Sequence, residues 1–581
     1  MRDFKRFVTS CAVIAFAAMA VGAQAQATTG AVADAPGAIG DIVVTANRAP
    51  STVQRTPVTI VALSADSLAK TGTTSTVGLQ NNIPGLTFTS GNAGQTLIYL
   101  RGTGTSVLGL GAGSSVATYI DGVYYPNQQQ GLQKFSNIER IEVLKGPQAT
   151  LFGRNATGGA INIITRAPSD TFGFNGDLSY GNYNAITARA TTTGPVAPGL
   201  SALFSVLYDH HQGYDRNVTL GTRLGGDTNV GIRGALKYEV APNVSFLLRG
   251  DYSYREFSDF EKDTNPASLV YFYLPVSQYL ADPRSVRNQK QNSGITRDSG
   301  VSGTLTADLD WATLTSVTSY RHFVSGPTIT DFDSNDVPFI PAINYIGQID
   351  GDKLTSNQFF HESYLTTDRA NRVFVTAGAS YQSEQAHQFI FRPTTSLYTQ
   401  PGTVSQTYLR ALDNKVYSGF VDAGLNLGEQ TTLTAGVRYS HDDKQYSQNA
   451  IFPGPGIPVG LLTGHRVDKA FSPKVGIEYR ARPGIMLYAS ATSGFKSGGF
   501  AENDPRNSFR PEKVWSYEAG FKSTFWDRKA RLNVAFFYAD YKDIQVQQIL
   551  GGLSLTRLIT MPRAPGSMAS ISRRSSSRWK A

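Results

Sequence analysis

Residues 230–254 read VGIRGALKYEVAPNVSFLLRGDYSY, two alternating runs on either side of Ala241-Pro242-Asn243. In the first run Val230, Ile232, Leu236, Tyr238 and Val240 share one parity, and Arg233, Lys237 and Glu239 share the other. In the second, Val244, Phe246, Leu248, Tyr252 and Tyr254 oppose Ser245, Arg249, Asp251 and Ser253. Successive strand side chains point to opposite faces, so such a segment is built to meet two different solvents. A bilayer requires every backbone polar group to be paired within the protein. A closed barrel meets that demand with lipid outside and water or protein inside.

The same phrase recurs from Asp177 to Ile544. Hairpins are expected from 172–180 with 185–193, 203–210 with 230–240, 244–254 with 301–309, and 313–321 with 353–366. The series continues at 372–383, 416–427, 433–441, 471–480, 485–492, 513–523, 531–541 and 544–549. The fold class expected is therefore a membrane β-barrel of about 16 antiparallel strands. Short connections such as 241–243, 310–312, 428–430 and 481–484 alternate with long ones at 256–300, 322–352, 384–414 and 442–469. Barrels of the outer membrane keep short turns on the periplasmic side and long loops outside.

Sustained helical periodicity and long apolar runs are absent after the start of the chain, which argues against a helical membrane protein. Met1–Ala25 carries Arg2, Lys5 and Arg6, then the apolar run Phe7–Val21 and Ala23-Gln24-Ala25, the pattern of a secretory signal cut before Gln26. The single cysteine, Cys11, lies inside that signal. The exported part is thus expected to lack disulfides, thiolate nucleophiles and cysteine metal ligands. The net charge of +9 does not mark a polyanion-binding surface. Residues 1–25 supply two of those charges and 561–581 five, leaving a body close to neutral.

Residues 26–55 form a small-residue leader containing the β-prone segment Asp41-Ile42-Val43-Val44-Thr45-Ala46, suited to pairing with another protein's sheet edge. Residues 56–168 read as a compact globular α/β domain. Strands are expected at 58–63, 96–100, 116–120, 138–145 and 160–165, with a helix near 65–70 capped by Ser64 and favoured by Asp66 in its first turn. The barrel occupies 169–560. The run from Gly146 to Gly159 lacks the Gly-Lys-Ser/Thr ending of a phosphate-binding loop and reads as a tight turn. His210 and His211 are strand neighbours, so they point to opposite faces and suit a loop edge better than a metal site. Tyr271, Tyr273 and Tyr279, with Phe272, lie in the long loop 256–300 and are the candidate ligand contacts. They are also suited to the aromatic girdle or to packing of the loop.

Asp41–Arg48 (DIVVTANR), Pro57–Ile60 (PVTI), Ile83–Leu86 (IPGL), Leu100–Gly104 (LRGTG), Tyr119–Val123 (YIDGV) and Ile138–Arg166 follow one another in fixed order. Tyr488–Phe500 (YASATSGFKSGGF) and Pro511–Val546 follow in the late strands. This ordered set resembles the TonB-dependent outer-membrane receptors over residues 41–560. The resemblance implies that 56–168 is a plug inside the barrel, and that Asp41–Ala46 is the TonB box, offered to TonB of the inner-membrane energising complex. It also implies that Arg101 and Lys145 pair with wall carboxylates, with Glu518 the best match. The implied activity is energised import of a scarce ligand, most commonly a ferric siderophore or other iron chelate, with no cofactor, resident metal or covalent chemistry. Cobalamin, glycans and aromatic compounds are the other cargoes in view, because no loop motif chooses among them. A passive porin has no use for a plug or a box, and no loop gathers the nucleophile, base or metal cluster of a surface enzyme. A soluble β protein would not keep an apolar stripe on strand after strand.

Plugged transporters have about 22 strands, roughly six more than the alternation supplies. After Thr560 the rhythm gives way to 561–581, with six serines, five basic residues and no acid. This stretch is expected to be an aberrant, disordered tail, as in a truncated or frameshifted receptor. The first and last strands should then be left unpaired, in a chain that by itself neither assembles nor transports.

Overall fold

Ile60–Ser64, Ile138–Lys145, Gly159–Thr165, Val116–Ile120 and Val123–Tyr125 join in that order into one sheet. The structure is a computed structural model that describes residues 40–90, 96–105, 109–110, 112–131, 134–258, 282, 284–286, 291–331, 349–394, 404–451, 459–501, 504–550, 555–561 and 567–576. Only the pairing of 116–120 with 159–163 is parallel; the other three are antiparallel. Apolar runs rather than alternation mark these strands because both faces are covered, with Ile141, Val143, Leu144 and Ile161 fully buried. Helix Ala65–Lys70 starts where expected, with Ser64 Oγ accepting from Ser67 N at 3.2 Å. Gly159 has φ +146°, and a Cβ there would lie 2.2 Å from Leu144 O, so the sheet closes on that glycine. Leu86–Ser90 and Val123–Tyr125 are strands that the sequence reading passed over.

Around this domain runs one antiparallel sheet of sixteen strands. Its strands are Gly173–Gly181, Ala185–Ala197, Leu200–His211, Asp227–Ala241, Val244–Phe257, Gly294–Asp308, Thr313–Asp331, Ile349–Thr366, Val373–Thr394, Val404–Leu427, Thr431–Ile451, Gly460–Arg482, Ile485–Lys496, Glu512–Phe525, Ala530–Lys542 and Ser567–Ser576. All four expected hairpins form. Ile232 faces Tyr252 and Leu236 faces Leu248 across the ladder, so the apolar parities of residues 230–254 meet on the outer surface. Ile232, Leu236, Tyr238 and Val240 are accordingly exposed. Trp311 and Trp526 are exposed at the short-turn end, where indole rings suit the headgroup region. From Thr313 to Arg482 the strands run 18 to 24 residues and take up much of what read as long loops. Alternation continues there, with polar residues on both faces beyond the apolar band.

Three expectations change. Residues 544–549, read as a wall strand, belong to a separate hairpin, Ile544–Leu550 with Leu555–Met561. Asp543, at φ +56°, ends the preceding strand, and Gln545 is pinned inward by Glu512 Oε2 on its N–H and by Ser497 O and Arg510 O on its side chain. Within the tail expected to be disordered, Ser567–Ser576 is instead the sixteenth strand, paired with Ala530–Ala539. An unpaired strand edge templates any backbone, whatever its side chains. The leader was expected to be flexible to residue 55, yet Val43–Val44 pairs with Ser51–Thr52 against the plug. The expected separation of first and last strands is present: among the described residues no ladder joins Gly173–Gly181 to Ala530–Lys542 or Ser567–Ser576.

Leu236 lies about half an apolar band from the turn at 241–243, and Val240 beside it. Leu236→Arg should therefore cost roughly 2–4 kcal/mol and Val240→Arg about 0–1 kcal/mol. Equilibrium unfolding in lipid vesicles reads both; equal costs would contradict the assignment of this face to lipid.

Candidate functional site

The segment Asp41–Ala46, expected to be the box, lies folded on the plug. Val43 pairs with Thr52 and Val44 with Ser51, and Val53 N donates to Ile42 O at 3.1 Å. Side chains alternate in burial as a strand requires: Val44 is fully buried and Val43 is half exposed. Ala46 is buried as well. Thr45 donates from its N–H and hydroxyl to Glu142 Oε1 at 2.9 and 3.2 Å, and Asp41 forms an ion pair with Arg531 at 2.6 Å. Behind the box, Arg48 reaches the barrel wall. Its guanidinium is 2.7 Å from Glu362 Oε1, donates to Leu151 O at 3.2 Å, and packs over the rings of Tyr119, Phe152 and Tyr364. Burial alone would lower its pKa; Glu362, Tyr364 and Tyr119 together offset this and hold the group above its ordinary value.

A second set of contacts grips the chain just after the box. Lys522, inward-facing on the wall strand Glu512–Phe525, gives its ammonium to Val53 O, Thr56 O and Val58 O at 2.8, 2.5 and 2.8 Å. Four residues earlier on that strand and on the same face, Glu518 accepts from Thr59 N at 3.1 Å and Thr59 Oγ1 at 2.8 Å. Tyr488 OH donates to the same oxygen at 2.9 Å. The other Glu518 oxygen is 2.8 Å from Arg101 Nη1, whose guanidinium lies 4.1 Å from the Phe537 ring centroid. Buried charges are tolerable where an ion pair and hydrogen bonds meet them, although among the described residues Arg101 Nε and Nη2 have no hydrogen-bond partner.

The pair expected between Arg101 and Glu518 is thus present. Lys145 places Nζ 2.6 Å from Pro84 O, a carbonyl of the plug itself. The Gly146–Gly159 run is a tight turn holding the short helix Ala149–Phe152. His210 meets Thr228 Oγ1, and His211 stacks on Tyr214. Among the described residues no cluster of three metal-ligating side chains occurs. Tyr271, Tyr273 and Tyr279 lie outside the described residues.

At the opposite end of the plug from the box, a cavity of about 130 Å³ opens between plug loops and wall. Arg154 crosses from plug to wall, with Nη1 3.0 Å from Asp442 Oδ2 and Nη2 3.3 Å from Gln382 Oε1. Lys444 and Ser497 also meet Asp442. Sequence reading did not single out Arg48, Glu362, Lys522, Arg154 or Asp442. The available signal was parity: inward positions carrying charge on strands whose outer positions are apolar.

The pattern described as "TonB-dependent Receptor Plug Domain" matches residues 52–160, and that described as "TonB dependent receptor-like, beta-barrel" matches residues 248–560. The chain belongs to the TonB-dependent receptor family. Such receptors are outer-membrane barrels, and the sixteen-strand sheet with its enclosed plug is that architecture in open form. The pesticin receptor of Yersinia pestis is 26% identical over 526 residues, covering 87% of this chain and 71% of that one. The metal-pseudopaline receptor CntO of Pseudomonas aeruginosa is 22% identical, covering 70% and 57%. Among solved structures, the ferric yersiniabactin uptake receptor FyuA of Yersinia pestis superposes with a TM-score of 0.73 at 19% identity, covering 89% of this chain and 79% of that one. The siderophore receptor PiuA of Acinetobacter baumannii gives 0.68 at 15%, covering 86% and 74%. At these identities the superpositions speak for the fold alone.

For this TonB-dependent receptor, Glu362→Gln leaves the Arg48 charge buried without its partner, a loss of about 3–5 kcal/mol at the latch. A spin label at Val43 should become mobile in that variant, and Arg48→Met combined with Glu362→Met should recover part of the immobility. Lys522→Met deserts three carbonyls at once and should open the segment Val53–Val58 to protease while the wall stays intact. Unchanged label mobility or an unchanged cleavage pattern would contradict these roles.

Proposed function

We propose that this chain is an energised outer-membrane importer of a ferric siderophore or similar iron chelate. In this reading it is exported by Met1–Ala25 and driven through contact of Asp41–Ala46 with TonB. The supporting observation is one short turn of the plug, residues 149–155, that touches both ends of the device. Arg154 on this turn lines the cavity and bonds to the wall at Asp442. Leu151 O, three residues earlier, accepts from Arg48 behind the box, and Phe152 O accepts from Tyr119, whose ring packs under the same guanidinium. A ligand that re-partners Arg154 thus moves the acceptor that holds the box latch.

The names of the relatives support this cargo class. FyuA is a ferric yersiniabactin uptake receptor and PiuA a siderophore receptor, and the CntO relative is a receptor for metal-pseudopaline. In this cycle the chain performs no covalent chemistry. It binds, exposes a strand and yields its plug to a pull, so its working parts are the three bonded regions described above.

Cells with and without the gene, offered radiolabelled iron on a panel of chelates, provide the test. Expected is uptake that needs the gene and collapses when proton-motive force is dissipated; uptake unaffected by deleting the gene would sink the proposal. Val44→Pro removes a backbone donor and fixes φ in the box, so uptake should fall to background while chelate binding to whole cells is retained. Normal uptake by that variant would contradict strand pairing as the mode of coupling.

A further inference from the structure

The apex cavity carries four ionisable side chains on its wall: Arg154, Lys444, Asp352 and Glu384. Both cations are already committed. Asp442 Oδ2 is 3.0 Å from Arg154 Nη1 and 3.5 Å from Lys444 Nζ, and Lys444 also donates to Gly498 O at 2.6 Å. Asp352 accepts from Gln388 Nε2 at 2.9 Å. Glu384 stands apart: among the described residues its carboxylate meets Ser356 Oγ at 3.4 Å and has no ion-pair partner. Arg154 and Lys444 act on it only at a distance. Glu384 is nevertheless buried, 8% exposed, as is Asn414 at 2%. The Asn414 Oδ1 atom has no hydrogen-bond partner, nor does Arg154 Nε.

A buried acceptor without a donor forfeits the solvation it had in water, and a ligand that supplies the donor recovers it. Among the described residues Gln128 Oε1 on the same lining is vacant as well, so two vacant acceptors face one vacant donor, and the uncommitted charge is negative. An anionic arm would set its charge against Glu384, with both cations held by Asp442, a like-charge contact that selects against such ligands. The volume suits roughly four waters, so it admits one arm of a chelate rather than the whole.

We propose that the cavity receives a cationic, N–H-bearing arm of a ferric chelate that has no net negative charge, with the arm donating to Glu384 and to Asn414 Oδ1. This rests on the iron-chelate importer reading and names the chemistry of its ligand.

The test uses outer membranes containing the full chain and three probes: a ferric trishydroxamate with a free ammonium arm, the same chelate with that ammonium acetylated, and a ferric triscatecholate. The ammonium form should bind roughly tenfold more tightly than the acetylated form, and the triscatecholate most weakly. Glu384→Gln should bring the ratio of the first two close to one, and Glu384→Asp should preserve it. Because the readout is a ratio within each variant, a lowered amount of folded protein does not mimic the effect. A preference that survives Glu384→Gln, a wild-type ratio of one, or tightest binding of the triscatecholate would each overturn the proposal and leave the importer reading standing. If none of the three probes binds, the iron-chelate reading falls and takes the proposal with it.

Discussion

In hydrocarbon an unpaired peptide N–H or C=O costs several kcal/mol, and the rest of this molecule follows from avoiding that cost. It forces the wall into one continuous antiparallel ladder from Gly173 to Ser576. It also forces side chains into two populations by parity, so that Leu236 and Leu248 meet outside while Arg233 pairs across the ladder with Asp251 inside. A ladder that sends every second side chain inward creates a lumen lined with polar groups. Where the plug presses on that lining, those groups are removed from water. Each must then find a partner on the plug, which is why the plug surface carries Arg48, Arg101 and Arg154. The two outer edges of the sheet, at 173–181 and 567–576, are where the same constraint remains open among the described residues.

The bonds that retain the plug are therefore also the bonds that release must break, and their placement separates two events. Lys522 and Glu518 hold residues 53–59 to the wall, immediately downstream of the box. In the proposed cycle a pull applied at Asp41–Ala46 first meets the Asp41–Arg531 pair, the Thr45–Glu142 bonds, the short pairing with Ser51–Thr52 and the Arg48 latch. Only after those does it load the ammonium and carboxylate of the strand Glu512–Phe525. Freeing the segment thus takes from the five-stranded core the Thr45 bonds at Glu142 and leaves its ladders in place. Moving the plug itself requires uncovering two buried charges, a far steeper demand.

Alternation is a local property, so the wall was legible residue by residue: the phrase at 230–254 fixes both faces of its hairpin with no knowledge of the remainder. The plug strand at 138–145 was legible too, from the β-branched and apolar residues Ile138, Ile141, Val143 and Leu144 set among its charges. Parity could not tell which inward charge meets which plug residue, because Arg101 and Glu518 are 417 positions apart and Lys522 and Thr56 are 466 apart. Resemblance supplied the first pair and was silent on the second. It also assigned Lys145 a wall partner, and the ammonium of Lys145 reaches the Pro84 carbonyl within the plug. Residues 544–549 show the opposite failure. Their pattern suits a wall strand, but the backbone reversal at Asp543 and the hold on Gln545 turn them into another hairpin. The serine-rich stretch at 567–576 carries no hydrophobic signal, and its pairing comes from the backbone of its neighbour, which side-chain pattern cannot report.

A ligand can move the box only by as much as it binds one arrangement of the plug better than another. Most of the plug is close-packed core, with Ile141, Leu144 and Ile161 sealed from solvent, and core of that kind resists graded deformation. The turn 149–155 is different, since polar bonds attach it to its surroundings: Arg154 to Asp442, Asn155 N to Phe495 O at 3.0 Å, and Leu151 O to Arg48. Such bonds exchange partners at little cost in packing, and Asp442 already has Lys444 and Ser497 as alternative partners. If a neutral carbonyl of a bound chelate draws Arg154 away, the carboxylate stays compensated and the guanidinium gains a new acceptor. The turn that carries Leu151 O then shifts relative to Arg48. A tenfold rise in box release asks for only about 1.4 kcal/mol of difference between the two arrangements, within the range of one charge-assisted hydrogen bond. In the proposed cycle, long-range coupling across this plug therefore needs no rearrangement of its sheet, only the exchange of a partner at Arg154.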